Sequence, residues 1–272
     1  MRRLIAWLRF VAVILSMAFL VVAVFILYHI SLKLIRYPIR KIWTRCLLFS
    51  TGAKIHLHGV DLDCQDLRNT MVVSNHISWL DTVVMLRLCY LRYIGKVEML
   101  KWPFLSMIIK AGGTLFINRR NKRELLTVNQ QVANVLTAGS TVGLYPEGTT
   151  SDGVKILPFK APILEAALMA KSRIIPVVLS YRKEDNQLAT EVTFSKVSWL
   201  TTVINTLKLK DLVINVTILP IVKSSDFKTR DELAGYLYKQ INQSYQNQQF
   251  VTSEVIPAPK NSSSQQRLGS ML

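Results

Sequence analysis

The first long apolar run covers residues 10–30 and is interrupted only by Ser16, Tyr28 and His29. As a helix, a run of this length spans roughly 31 Å, about the hydrocarbon thickness of a bilayer. Basic residues flank both ends, and no A-x-A-like cleavage site follows. The pattern therefore favours a retained membrane-anchor helix over residues 1–32 rather than a cleaved secretory signal. Such an anchor would either cross the bilayer or lie in one leaflet.

The next segment, residues 33–51, mixes Lys and Arg with large apolar side chains, and no acidic residue occurs before Asp61. This mixture predicts a basic amphipathic helix lying on anionic lipid headgroups. The alternative is an ordinary amphipathic helix packed on the domain that follows. The larger basic cluster lies after the apolar run, which favours placing the C-terminal domain on the cytoplasmic side of an inner membrane.

Residues 52–248 show the alternating patterns of a single α/β domain. Strand patterns cover residues 54–59, 70–74, 90–96, 114–117, 141–145, 174–181, 191–197 and 213–219. Helical patterns cover residues 79–88, 125–136 and the segment up to 170, and a last one follows Thr229 and passes through Ile241. Pro176 argues for an edge or bulged position in its strand. Residues 249–272 are rich in Gln, Asn and Ser and are predicted to be a disordered tail.

Two further stretches are rich in large apolar residues. Residues 98–110 are too short to span a bilayer and are interrupted by Pro103. They would form either part of the core or a surface that dips into the membrane. Residues 199–209 are basic and apolar, and they would also suit contact with a membrane.

The composition narrows the range of partners. Lys and Arg number 34 against 17 Asp and Glu, which gives a net charge of +17, and the mean hydropathy is +0.27. This balance implies a polyanionic partner, either anionic lipid or nucleic acid. No helix-turn-helix, RNP or zinc-finger pattern is visible, so we expect lipid and not nucleic acid, although a membrane-anchored nucleic-acid-binding protein is the alternative class.

Cysteine and histidine spacing does not indicate a metal centre. Cys46, Cys64 and Cys89 show no C-x-x-C spacing and are interpreted as reduced thiols. His56 and His58 would share one face of a strand, but no further ligands lie close to them in the sequence. We therefore expect no metal site.

The densest group of functional side chains is N-H-I-S-W-L-D, residues 75–81, between a strand pattern and a helix pattern. Ligands bind at that edge of an α/β sheet. His76 and Asp81 can meet only if His76 lies in the turn before the helix and Asp81 lies in its first turn. Ser78-x-x-Asp81 resembles a capping box that would produce this placement. The run is then either a helix cap alone or a His–Asp pair, in which His76 takes a proton from a hydroxyl.

Two other polar clusters follow predicted strands. Arg119 lies in Asn-Arg-Arg directly after residues 114–117, where an arginine can hold a phosphate with two donors or can belong to a solvated turn. Residues 146–153 read Pro-Glu-Gly-Thr-Thr-Ser-Asp-Gly. Two glycines among hydroxyl residues let a backbone approach a ligand closely.

Four blocks in order carry a family resemblance. NHISWLD resembles the HxxxxD block of the glycerolipid acyltransferases of the 1-acyl-glycerol-3-phosphate (lysophosphatidate) type. GTLFINR at residues 113–119, YPEGTTS at 145–151 and IIPVVL at 174–179 are similar to the second, third and fourth blocks of that family. Lys96 matches a lysine common between the first two blocks. The resemblance covers roughly residues 52–220.

This resemblance implies an α/β fold with a mixed, mostly parallel sheet flanked by helices. It implies transfer of an acyl group from acyl-CoA or acyl carrier protein to the free hydroxyl of a lysolipid, with no other cofactor. His76 and Asp81 would be the catalytic pair. The residues implied in substrate binding are Asn75, Ser78, Lys96, Arg119, Glu147, Gly148, Thr149 and Thr150.

The third block departs from the family pattern at two positions. Thr150 stands where the family usually has arginine, and Tyr145 where it usually has phenylalanine. The acceptor would then be lysophosphatidic acid or a different lysolipid, such as a zwitterionic lysophospholipid or a lyso-ornithine lipid. A serine hydrolase also uses His and Asp, but the sequence contains no G-x-S-x-G nucleophile elbow.

Overall fold

One mixed β-sheet with helices around it organises the chain, which confirms the predicted α/β fold. The computed structural model describes residues 2–30, 33–60, 67–101, 106, 110, 112–117, 122–193 and 197–250. The side chains at 2–3, 21, 23–30, 33–38, 96, 122–124, 199 and 249–250 lie outside the description.

The described residues contain eight strands and seven α-helices. The strands are β1 (Lys54–Gly59), β2 (Thr70–Ser74), β3 (Arg92–Lys96), β4 (Leu115–Ile117), β5 (Thr141–Leu144), β6 (Arg173–Lys183), β7 (Leu212–Ile218) and β8 (Val222–Lys223). The helices are α1 (Arg2–Ile30), α2 (Lys33–Thr51), α3 (Leu80–Leu88), α4 (Lys122–Thr137), α5 (Glu165–Met169), α6 (Trp199–Lys208) and α7 (Arg230–Phe250).

The order of strands in the sheet is β1-β7-β6-β2-β5-β3-β4, and β8 pairs with part of β6. Strands β6, β2, β5, β3 and β4 run parallel to one another. Strand β7 is antiparallel to β6, and β1 is parallel to β7. Because parallel strands end at the same edge, the segments that follow β2 and β5 meet there, and β6 continues past that edge to Lys183.

The inner strands could be predicted from the sequence because the folded chain buries them. Strand β2 is buried along its whole length, with Met71 and Val73 fully covered, as expected for an inner strand of a parallel sheet. Helix α4 turns Val128, Val132 and Leu136 inward. It ends at Gly139 as predicted, because this glycine takes the left-handed conformation with φ +87° and donates its N–H to the Leu136 carbonyl at 2.8 Å.

Helix α1 confirms that the N-terminal apolar run is helical, and its role as a membrane anchor stays a prediction. Among the described residues, no helix has both the length and the apolar character needed to cross a membrane. Part of α1 packs on the domain, with Val13 and Leu20 buried against the core. The Arg9 guanidinium donates to the carbonyl oxygens of Leu207 and Leu209, which ties α1 to the C-terminal end of α6.

Helix α2 packs on the domain by one face only. Its inner face contacts α1, α3 and α6, and Leu47 on that face is fully buried. Its outer face exposes Phe49 by 85% and Ile42 by 53%, together with the basic Lys41 and Arg45. The domain-packed alternative for residues 33–51 therefore holds for one face, and the outer face is amphipathic and uncovered.

The strand predicted over residues 191–197 is wrong at its start. Thr190–Val192 form a 3₁₀ turn and not the start of a strand over residues 191–197, and residues 194–196 lie outside the description. The turn forms because Glu191 pairs with Lys183 at 2.7 Å and the Val192 carbonyl accepts the Ser78 hydroxyl at 2.9 Å. Most of residues 98–110 and the whole tail from 251 also lie outside the described residues.

Pro176 does not lie in an edge strand, because β6 has neighbours on both sides. It pairs with Val73 of β2, and its carbonyl accepts the Leu219 N–H at 3.0 Å on the other side. On that second side β8 covers Arg173 and Ile174, whereas the β7 ladder begins at Val177. The N–H that proline lacks therefore falls in the break between two neighbouring strands, where no ladder bond is lost.

Candidate active site

The turn between β2 and α3 brings His76 and Asp81 into contact. His76 follows the end of β2, and Asp81 lies in the first turn of α3. The His76 Nδ1 and Asp81 Oδ2 atoms are 2.6 Å apart. Asp81 is fully buried, whereas the His76 side chain is 20% exposed. The imidazole is therefore accessible at the surface, while its carboxylate partner is not.

The same turn is also a helix cap, so both interpretations of the sequence describe part of it. Asp81 Oδ2 accepts the backbone N–H groups of Ile77 at 2.7 Å and Ser78 at 2.9 Å. The Ser78 hydroxyl accepts the N–H of Leu80 at 3.3 Å. Asp81 therefore makes the hydrogen bond that a capping box requires of its acidic residue. The Ser78 hydroxyl accepts the N–H of Leu80, whereas the standard pattern uses the N–H one residue later.

Tyr181 is a member of the site that sequence reasoning missed. Its hydroxyl donates to Asp81 Oδ1 at 2.6 Å, and both side chains are buried. Tyr181 lies in β6, two residues after the fourth block. A tyrosine at the end of an apolar strand was the available signal, because a buried phenol usually requires a hydrogen-bond partner.

Glu147 lies in the segment after β5 and fixes the backbone of residues 75–79 between β2 and α3, the candidate catalytic turn. Its Oε1 atom accepts the His76 N–H at 2.7 Å, and its Oε2 atom accepts the Leu157 N–H at 2.9 Å. The Ser151 N–H donates to the His76 carbonyl at 2.7 Å. Burial raises the pKa of Glu147 to about 7, although the two backbone donors act in the opposite direction.

An aromatic stack fixes the plane of the imidazole. The His76 and Tyr145 rings are nearly parallel with centroids 4.3 Å apart, and the Tyr145 ring also stacks with Tyr93 at 5.6 Å. The Tyr145 hydroxyl lies 3.3 Å from the Tyr93 hydroxyl. A Cβ atom on Gly143 would come within 2.7 Å of the Tyr93 ring, so this glycine makes room for the stack. Burial raises the pKa of both phenols, which keeps them neutral.

The structure places the residues implied in substrate binding at different depths. The Asn75 amide is buried and bonds to both the N–H and the carbonyl of Leu179, so it joins the catalytic turn to β6. Gly148 takes the left-handed conformation at φ +71° in a turn closed on Tyr145. Thr149 is exposed and Thr150 is buried. Lys96 lies in β3 with its side chain outside the description, and Arg119 lies outside the described residues.

This arrangement can perform general-base chemistry on a hydroxyl. With Nδ1–H donated to Asp81, a neutral His76 keeps the lone pair on Nε2 for a proton. The Asp81 carboxylate then stabilises the imidazolium that forms. In the part of the chain that the structure describes, no group of three His, Cys, Asp or Glu side chains could hold a metal ion.

The family model named Acyltransferase matches residues 55–180, which include all four sequence blocks. The 1-acyl-sn-glycerol-3-phosphate acyltransferase of Neisseria meningitidis serogroup B is 30% identical, over 71% of this chain and 87% of that protein. The lyso-ornithine lipid O-acyltransferase of Pseudomonas aeruginosa is 35% identical over 41% of this chain and 43% of that protein.

Among solved structures, the chain resembles the crystal structure of the 1-acyl-sn-glycerophosphate (LPA) acyltransferase PlsC from Thermotoga maritima. The TM-score is 0.56 at 20% identity, and the match covers 89% of this chain and 98% of that one. At this identity the likeness supports the fold only.

We predict that Glu147 makes the free energy of unfolding depend on pH. Because its pKa is about 7 in the folded chain against 4.5 for the ordinary group, the folded state holds a proton that the unfolded state releases between these values. Stability due to this group is therefore fully present below pH 4.5 and is lost as pH rises to about 7, by a few kcal/mol at most.

Chemical denaturation of the unmodified chain and of Glu147→Gln across this pH window measures the effect. Glutamine does not titrate, so the variant should show a shallower fall in stability as pH rises. Glu184→Gln, at an exposed position, is the matched control and should keep the unmodified slope. Equal slopes for the unmodified chain and Glu147→Gln would contradict the prediction.

Proposed function

Since this chain belongs to the acyltransferase family, we propose that it transfers a fatty acyl group from an acyl thioester to the free hydroxyl of a lysolipid, as a step in phospholipid biosynthesis. The observation that carries the proposal is the His76–Asp81 contact of 2.6 Å at the exposed end of β2. A His–Asp pair of this kind activates a hydroxyl without requiring a covalent enzyme intermediate.

In the proposed reaction His76 Nε2 takes the proton from the lysolipid hydroxyl as its oxygen attacks the thioester carbonyl carbon. The tetrahedral oxyanion that forms then collapses and breaks the carbon–sulfur bond. The departing thiolate takes the proton from His76, so the products are an ester and a free thiol. Asp81 keeps the imidazole in the required tautomer and stabilises its charged form. The acyl donor is acyl-CoA or acyl carrier protein, and no further cofactor is required.

We propose lysophosphatidic acid as the acceptor and phosphatidic acid as the product. The name of the Neisseria relative supports this choice. So does the match to the family pattern of Arg119 in the second block and of Lys96 between the first two blocks. A guanidinium can bind a phosphate with two donors. A lyso-ornithine lipid is the second candidate, because Thr150 replaces a possible phosphate contact and the Pseudomonas relative carries that name.

Replacing His76 by alanine should lower acyl transfer by roughly 10²- to 10⁴-fold, the usual contribution of a general base. The assay offers a labelled acyl thioester and a panel of lysolipids to the protein in anionic-lipid micelles. His56→Ala is the matched control, because His56 is exposed on β1 away from the catalytic turn. Near-normal transfer by a folded His76→Ala variant would exclude His76 as the base.

Replacing Arg119 by alanine should raise the KM for lysophosphatidic acid and leave kcat nearly unchanged. The physical reason is that loss of a phosphate contact weakens ground-state and transition-state binding equally. The control is Arg68→Ala, since Arg68 is exposed at the start of β2, at the opposite edge of the sheet from His76. An unchanged KM in the Arg119 variant would mean that the phosphate is held elsewhere.

We also propose that the enzyme works on the cytoplasmic face of an anionic cytoplasmic membrane. Helix α1 exposes a row of large apolar side chains, and the outer face of α2 adds Phe49 beside Lys41 and Arg45. On α6, Leu200 and Ile204 are exposed at helical spacing. Apolar insertion combined with basic residues is typical of helices that lie in the interface of anionic lipid.

The combined change Trp7→Ala and Phe49→Ala should weaken sedimentation with phosphatidylglycerol vesicles and leave the unfolding free energy nearly unchanged, because both side chains are mostly exposed, by 63% and 85%. Leu47→Ala is the converse control on the same helix. It removes a fully buried side chain and should cost about 2–5 kcal/mol of stability. Vesicle binding by the double variant at the unmodified level would reject this surface.

A further inference from the structure

The two oxygens of Asp81 have different sets of donors. Oδ2 accepts His76 Nδ1 and the backbone N–H groups of Ile77 and Ser78, all within 2.9 Å. Within the described residues, the donor found on Oδ1 is the Tyr181 hydroxyl, at 2.6 Å. One oxygen is thus bound by the catalytic turn, and the other is bound by the sheet.

The backbone of Tyr181 is held in place by hydrogen bonds on both sides. It lies opposite Ile214 in the antiparallel β6–β7 pairing, and its carbonyl accepts the Ala189 N–H at 3.0 Å. Two residues earlier, Leu179 bonds through both backbone groups to the Asn75 side chain. The Tyr181 ring is 2% exposed. The backbone of Tyr181 is therefore held by the sheet, and its hydroxyl extends from the sheet to the Asp81 carboxylate.

We propose that Tyr181 is a positioning residue for acyl transfer, whose hydroxyl sets the plane and the acceptor strength of the Asp81 carboxylate and, through it, the orientation and basicity of His76. The inference rests on the proposed function of the His76–Asp81 pair and adds a residue that neither the sequence blocks nor the motif spacing include. Removal of the hydroxyl leaves a buried carboxylate oxygen without its donor, which both loosens the carboxylate and concentrates its charge.

Among the described titratable groups near Asp81, Tyr181 is distinguished by its hydrogen bond to Oδ1. Burial and the Asp81 charge raise the pKa of Tyr181 well above its ordinary value, so it stays a protonated donor throughout an assay range. The other titratable groups that act on Asp81 from the packed elements are His76 of the turn, Tyr93 of β3, and Tyr145 and Glu147 after β5.

The test is the pH dependence of acyl transfer by Tyr181→Phe. Without the hydroxyl, the carboxylate attracts the imidazolium more strongly, so the inactive protonated form of His76 persists to higher pH. The acid limb of the kcat/KM profile should therefore move to higher pH. We expect kcat to fall roughly 10- to 100-fold, the range for loss of one hydrogen bond to a charged group, while the KM for the lysolipid stays nearly constant.

Tyr245→Phe is the matched control. Tyr245 is another buried tyrosine beside the same turn region, and its hydroxyl donates to the Gly153 carbonyl and not to Asp81. Its loss should lower stability without moving the acid limb. If Tyr181→Phe is active and its acid limb coincides with that of the unmodified enzyme, the proposal is overturned.

Site-specific replacement of Tyr181 by 3-fluorotyrosine covers the case in which the phenylalanine variant does not fold. The fluorinated phenol keeps the ring and is a stronger donor, so the acid limb should move to lower pH. An unchanged limb or a shift to higher pH would also overturn the proposal.

A spectroscopic measurement separates failure of this inference from failure of the proposed function. The downfield proton resonance of His76 Nδ1–H, assigned by its absence in His76→Ala, is measured without substrate. Tyr181→Phe should shift it, whereas Tyr245→Phe should not. An enzyme that transfers no acyl group to any lysolipid but shows the shift would refute the function and leave the positioning role intact. An unshifted resonance in folded Tyr181→Phe would refute the positioning role.

Discussion

Burial of the Asp81 carboxylate is the constraint on which the catalytic turn depends. An ionised carboxylate removed from water is unfavourable by many kcal/mol unless its oxygens are hydrogen-bonded. Here the donors are two backbone N–H groups of the turn, one imidazole and one phenol. The two backbone donors must point at the same oxygen, which forces the chain to reverse between His76 and α3. The five-residue spacing of the motif is the length of this reversal.

The first and third blocks form one structural unit through Glu147. Glu147 lies after β5, and its side chain accepts the backbone N–H of His76. The Ser151 N–H donates to the His76 carbonyl. Parallel pairing of β2 with β5 brings the two segments to the same edge of the sheet. The His76 ring also stacks face to face on the Tyr145 ring. His76 is thus fixed at its backbone, its ring plane and one ring nitrogen. Its other ring nitrogen, Nε2, has no hydrogen-bond partner among the residues that the structure describes.

The sequence predicted the fold correctly where a local run of apolar residues corresponds to a segment that is buried in the folded chain. Inner parallel strands such as β2 are buried on both faces and appear as short apolar runs, so their positions were predicted closely. The His76–Asp81 contact was predictable because both residues lie in one turn. Tyr181 was not, since its contact with Asp81 depends on the register of β6 with β2, which no local pattern encodes. Pro176 and the turn at Thr190–Val192 likewise depend on where β7, β8 and Ser78 lie.

The tie between Arg9 and the carbonyls of Leu207 and Leu209 has a consequence for biosynthesis. The partners are about 200 residues apart in the chain. At a ribosomal rate of about 5–20 residues per second, roughly 10 to 40 s separate the appearance of α1 from that of its docking site. Strand β1 also waits for its neighbour β7, whose paired residues lie 159 positions later in the chain, as in Lys54 and Val213. During this interval α1 lacks its docking site on α6, whereas α2 can already pack on α3. The attachment of α1 to α6 is therefore a late event of folding, although α1 is made long before the strands and helices at the centre of the domain.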